Sequence, residues 1–94
     1  MGLTFEWDSN KAVSNVRKHG LSFEEAATAF GDPLSMTVAD PDHSAEEHRF
    51  VLIGRIMGGR TVIVVHTERG DNIRLISARL ATRREIEEYE YDQR

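Results

Sequence analysis

Four histidines and a run of arginines are the residues of this 94-residue chain whose types and spacing could do chemistry. Histidine titrates near neutrality and serves as acid or base. His19 stands at the end of a predicted helix, His43 in a turn, His48 in a strand and His66 at a strand end. Element ends and turns display functional groups, which favours His19, His43 and His66 over His48. Between residues 49 and 84 all eight basic side chains are arginine: Arg49, Arg55, Arg60, Arg69, Arg74, Arg79, Arg83 and Arg84. A guanidinium offers a planar fork that pairs bidentately with phosphate or carboxylate. Cleaving an RNA phosphodiester without a metal needs one group to take the 2′-hydroxyl proton, another to protonate the leaving 5′-oxygen, and cations to stabilise the phosphorane. The sequence has candidates for all three.

Glu47 and Arg49 are two apart in a predicted strand, so they share a face. They form either an acid–base group beside a phosphate clamp or an ordinary ion pair. Arg79 lies just beyond the last predicted strand, on the same face as Ser77, and is the first choice for stabilising transition-state charge; its structural alternative is to neutralise the acidic C-terminal helix. Arg69, in a glycine-containing turn, and Arg74, Lys11 and Lys18 are expected to position RNA, against the plainer reading of a solvated charged face. His43, Glu47 and His48 could supply nitrogen and oxygen ligands to a metal. Their spacing matches no ligand motif, and a strand would turn Glu47 and His48 to opposite faces, so chemistry without a metal or other cofactor is expected.

The pI of about 5.5 taken alone argues against a nucleic-acid partner, but the charge is unevenly spread. Residues 1–48 carry three basic and nine acidic side chains, residues 49–84 eight and two, and residues 85–94 one and five. A basic middle between acidic ends is a field that can meet phosphate on one side. The absence of cysteine excludes a disulfide framework, a zinc ribbon and a thiol nucleophile. Apolar residues at 39% and charged residues at 30% place the chain among globular proteins rather than disordered ones. No apolar run approaches the ~20 residues a membrane helix needs, and no basic start leads into an apolar signal segment, so a cytoplasmic location is expected. Residues 1–94 are expected to form one domain.

The elements that must position these residues follow from their punctuation. Phe5-Glu6-Trp7 alternates as a strand, Asp8 or Ser9 caps a helix running toward Lys18, and Gly20 ends it. Ser22 and Glu25 have capping-box spacing over a second helix, Phe23 to Phe30, broken by Gly31-Asp32-Pro33. Ser35 to Ala39 reads as a short strand ending at Asp40-Pro41-Asp42. Three further strands, Phe50 to Ile53, Thr61 to Thr67 and Ile73 to Ala78, are joined by the turns at Gly58-Gly59 and Gly70-Asp71-Asn72, giving an antiparallel meander. Thr82 and Glu85 open a last helix, Arg83 to Tyr91. The predicted fold is α+β in the order β-α-α-β-β-β-β-α: a small antiparallel sheet with two N-terminal helices and one C-terminal helix.

Phe5-Glu6-Trp7-Asp8, Lys11, Asn15, Lys18-His19-Gly20, Phe23-Glu24-Glu25-Ala26 and Phe30 with Asp32-Pro33 stand in the order of the BrnT toxin family. The second half agrees, with His43-Ser44, Glu47, Arg49, Gly54, Arg60, His66-Thr67-Glu68-Arg69, Arg74, Ile76-Ser77-Ala78-Arg79, Arg84-Glu85 and Tyr89. The chain therefore resembles that family from residue 5 to residue 89. The resemblance implies a RelE-like ribonuclease fold, a type II toxin that blocks translation by degrading RNA, and neutralisation by a ribbon-helix-helix antitoxin, BrnA; DNA would be met only through that antitoxin. It also implies that Arg79 stands at the sheet's end near Tyr89, which joins the RNA-facing set. The alternative is a non-catalytic module whose arginine-rich sheet binds an acidic protein partner.

Overall fold

The structure, a computed structural model, describes residues 2–40 and 48–92. β1 (Thr4–Glu6) leads into α1 (Ser9–His19), whose first N–H groups are capped by the Asp8 carboxylate and which closes at Gly20. Ser22 and Glu25 make the predicted capping box over α2 (Phe23–Ala27). That helix is shorter than expected, because the chain tightens into a 3-10 turn at Thr28–Gly31. The Thr28 hydroxyl donates back to Glu25 O at 2.7 Å and accepts from Met57 N at 3.0 Å, tying the turn to the sheet. The strands β2 (Met36–Ala39), β3 (Arg49–Arg55), β4 (Thr61–Arg69) and β5 (Asn72–Leu80) follow, then α3 (Arg83–Tyr91) with its Thr82–Glu85 capping box.

The five strands form one sheet in the order β1-β5-β4-β3-β2. β3 to β5 make the predicted antiparallel meander and β2 extends it, while β1 pairs parallel on the edge of β5, so the sheet is mixed where an antiparallel one was expected. Gly58 and Gly59, at φ of 104° and 94°, turn β3 into β4, but not by the expected primed turn. Gly59 N bonds Ile56 O, so Met57 and Gly58 are the central pair, and only the second has positive φ, the pattern of a type II turn. Gly54 has a different reason to be glycine: a Cβ there would stand 3.0 Å from Ser35 Cβ and 3.1 Å from Ala29 O, where the 3-10 turn leans on β3.

One face of the sheet carries Leu52, Val62, Val64, Leu75 and Ala78 and is covered by Leu21, Phe23, Ala26 and Ala29 of the helical layer. Burial of Phe23, fully enclosed beside Trp7, contributes about 2–3 kcal/mol. Pairing shifts between Val65/His66 and β5: Val65 faces Ser77, but His66 faces Leu75. Ile76 is thus the extra residue of a β-bulge, which resets the alternation of β5. Leu75 and Ala78, three apart, both reach the core; Arg74, Ser77 and Arg79 all fall on the opposite, outer face. Among the described residues no helix is long and apolar enough to cross a membrane.

Candidate nucleic-acid interface and active site

One register row crosses four strands of the outer face: Glu6 of β1 faces Arg74 of β5, which faces Thr67 of β4, which faces Arg49 of β3. At ~4.8 Å per strand, the two arginine Cα atoms lie ~10 Å apart with a threonine between them. Arg74 Nη1 donates to Glu6 Oε2 at 2.7 Å, and Asn72 Nδ2 donates to Glu6 Oε1 at 3.1 Å. Hydrogen bonds from Asn72 and Arg74, with the field of Arg69 beyond them, hold the Glu6 carboxyl below the usual carboxylate range. That makes Glu6 a poor base and a good orienter of Arg74. Sequence reasoning passed over Glu6 and Asn72, although the alternation of Phe5-Glu6-Trp7 already sets Glu6 opposite the apolar pair. Thr67 is buried, its hydroxyl donating to His48 O at 2.6 Å. Arg69 is exposed at the end of β4. The row and Arg69 bring three guanidiniums to one end of the face.

Arg79, expected to stabilise transition-state charge, sits elsewhere. It faces Ile63, four residues along β4 from Thr67, or ~13 Å away. Its fork is taken by Glu85, Nη1 to Oε1 at 2.8 Å and Nη2 to Oε2 at 2.9 Å. The alternative role, neutralising the C-terminal helix, is the one this arrangement realises. Tyr89, expected to face RNA, is buried, with 1% of its surface exposed. Its hydroxyl donates to Asp32 Oδ2 at 2.5 Å, and Arg55 lies 5.8 Å above its ring. Burial and the Asp32 bond push the phenol up to about 12. For Asp32, burial raises the pKa, but bonds from Tyr89 and from the Arg55 and Leu34 N–H groups outweigh it, and the carboxyl is lowered. Tyr89 and Arg79 therefore fasten α3 to the sheet, and a base could stack on Tyr89 only if α3 moved.

The Arg79 fork, with the Thr82 cap, drives Glu85 to about 2 from an ordinary 4.5. A carboxyl with a depressed folded-state pKa contributes stability that is present above its unfolded value and lost as pH falls through the folded one. Glu85→Gln is accordingly expected to melt below wild type near neutral pH, with the gap closing between pH 4.5 and about 2. Thermal melts across that range check it; a gap that does not change with pH removes the pair from the stability balance.

Lys11, Lys18 and His19 are exposed on α1. That helix belongs to the layer on the core face, so the sheet separates them from Arg49 and Arg74. Lys18 and His19 fall in its last turn, where cations favour the helix dipole. His66 is also on the core face, 5% exposed, edge-on to Phe30 at 4.8 Å and stacked on Phe50 at 5.8 Å. Burial lowers its pKa and keeps the imidazole neutral. His43 and Glu47 lie outside the described residues. Among the described residues no three His, Asp or Glu side chains converge on a site for a metal ion.

Residues 7–85 match the sequence model of the family described as ribonuclease toxin, BrnT, of type II toxin-antitoxin system. The crystal structure of the Brucella abortus ribonuclease toxin, BrnT, is similar at a TM-score of 0.64 and 25% identity, covering 87% of this chain and 100% of that one. No curated protein matches the chain.

Proposed function

We propose, because the chain belongs to the BrnT family of ribonuclease toxins of type II toxin–antitoxin systems, that it cuts RNA internally in the cytoplasm without a metal, blocks translation by doing so, and is held inactive by a ribbon-helix-helix antitoxin of the BrnA kind. The observation that supports the site is the register row Arg74–Thr67–Arg49 with Arg69 beside it. Two guanidiniums ~10 Å apart at the Cα atoms can close on one phosphate or on neighbouring ones. His43 and Glu47 are the proton-transfer candidates. The chain enters their stretch at Asp40, whose N–H donates to Arg49 O at 2.8 Å, and leaves it at His48, whose carbonyl accepts from Thr67. Both ends are beside the row.

In the reaction the 2′-oxygen loses its proton to the base and attacks phosphorus. The P–O5′ bond breaks, and the acid protonates the departing 5′-oxygen. The arginines act on the charge that builds on the phosphorane oxygens. Purified protein is expected to cut single-stranded RNA in excess EDTA, leaving a 2′,3′-cyclic phosphate or 3′-phosphate and a 5′-hydroxyl. Activity that disappears on chelation and returns with zinc or magnesium defeats the metal-free mechanism. Intact RNA at any metal content, with the antitoxin still bound, supports the non-catalytic module.

A further inference from the structure

The outer face has an apolar middle that α3 covers at one end only. Two register rows cross it, Val38–Val51–Val65 and Met36–Ile53–Ile63. Ile63 is buried at 6% exposure, whereas Val38 on the edge strand is 63% exposed. A cleft of about 300 Å³ opens between this floor and α3, walled by Glu85, Glu88 and Asp92. Residues 83–92 carry two basic against five acidic side chains. Glu85 is taken by Arg79 and Glu90 meets Arg55, while the exposed Arg84–Glu88 contact at 3.5 Å neutralises little, so Glu88 and Asp92 carry the charge of the wall. At the far side of the floor stand Arg49 and Arg74. The floor is apolar; Glu88 and Asp92 stand on its α3 rim, where Glu85 is already taken by Arg79, and Arg49 stands on the other, where Arg74 is already held by Glu6.

β2 closes the sheet on this side. Asp40 N bonds Arg49 O, so the pairs Asp40–Arg49 and Val38–Val51 are the hydrogen-bonded ones, and the N–H and C=O groups of Thr37 and Ala39 point away from β3. No strand pairs with that outer edge among the described residues. The strand has none of the lysines, prolines or bulges that shield exposed edges.

Resting on the toxin–antitoxin reading above, we propose that this edge and cleft are where the antitoxin docks. Its segment is extended, adds a strand beside β2, and sends alternate apolar side chains over Val38 and Met36. Lysine or arginine lies where it passes the acidic wall of α3, and a carboxylate lies where it reaches Arg49. Main-chain bonds supply affinity and the alternate side chains specificity. Neutralisation follows, because the end of such a segment takes the guanidiniums that phosphate needs. The anchor is the apolar face rather than the basic row, so antitoxin binding and RNA cleavage can be separated by mutation.

Val38→Glu places a charge at an exposed position of the floor, and Thr37→Pro removes an outward N–H without touching the β3 ladder. The probe is the chain's cognate antitoxin, titrated against the full chain, with RNA cleavage by the free chain measured alongside. Val38→Glu is expected to weaken antitoxin binding by roughly thirtyfold or more, the scale of losing an interface hot spot, and Thr37→Pro to weaken it measurably. Both variants should cut RNA like wild type. Antitoxin binding unchanged in both variants overturns the docking, as does a Val38→Glu chain that alters self-association alone. A wild-type chain that binds antitoxin but cuts no RNA sinks the ribonuclease reading and leaves the docking result standing. A wild-type chain that binds no antitoxin overturns the docking together with the pairing on which it rests.

Discussion

Alanine at Arg49 is expected to slow RNA cleavage by about a hundredfold or more, the scale seen when a transition-state charge stabiliser is removed, with little change in melting temperature. Arg49 is half-buried on β3, between Thr67 on one side and the apolar floor beginning at Val51 on the other. Dipoles and charges aimed from such a partly dry position act more strongly on a developing phosphorane than they would from open solvent. Arg49→Lys should recover little, since an ammonium lacks the fork. Two neighbours serve as contrasts. Arg74→Ala should weaken RNA binding and lower the salt slope by about one unit, the mark of a lost phosphate contact. Arg79→Ala releases Glu85 and should loosen α3, so its effect is expected in thermal melts before it appears in cleavage. Single-turnover rates and melts on the three variants decide the matter. A near wild-type rate for Arg49→Ala removes it from the chemistry, and a catalytic collapse of Arg79→Ala at unchanged stability returns the phosphate role to Arg79.

The element order was legible because its punctuation is local. Asp8, Ser22 and Thr82 cap helices by bonds that span two or three residues, and Gly58-Gly59 has the backbone freedom its turn needs. The faces were harder to read. Strict alternation sets Arg74 and Arg79 on opposite sides of β5, since they are five positions apart. The bulge at Ile76 brings them to the same side, and nothing in the local sequence announces a bulge. Arg49 was nominated for its spacing from Glu47, but the partners that give it a site, Thr67 and Arg74, are 18 and 25 positions away, set by strand register. Tyr89 joined the RNA-facing set only through the family resemblance; its burial depends on Asp32, 57 positions earlier, which accepts from its hydroxyl, a pairing no local pattern announces.

Asn15 extends that lesson from function to stability, and Asn15→Ala is expected to be the most damaging single change in the helical layer. β1 pairs with β5 from Asn72 to Arg74, and among the described residues no strand lies on that side of the upper half of β5. The exposed backbone would be an unsatisfied edge beneath α1. Asn15 takes the missing strand's place: Nδ2 donates to Ala78 O at 2.8 Å, and Oδ1 accepts from Ala78 N at 3.0 Å. The same amide nitrogen donates to Leu21 O at 2.9 Å, fixing the turn between α1 and α2. Both Asn15 and Ala78 are nearly inaccessible, at 5% and 1% exposure, so water cannot easily replace the lost amide. Alanine leaves one N–H and two carbonyls without partners, which costs about 3 kcal/mol and lowers the melting temperature of a domain this size by roughly 10–20 °C. Asn15→Asp makes the cause visible. Its ionised carboxylate can accept from Ala78 N but faces two carbonyl oxygens, so its folded-state pKa must rise. A raised carboxyl pKa means stability recovered as pH falls, because the protonated acid can donate again. The aspartate variant should therefore gain on the alanine variant in acid, and a small, pH-independent loss in both would show that the amide is not β5's surrogate strand.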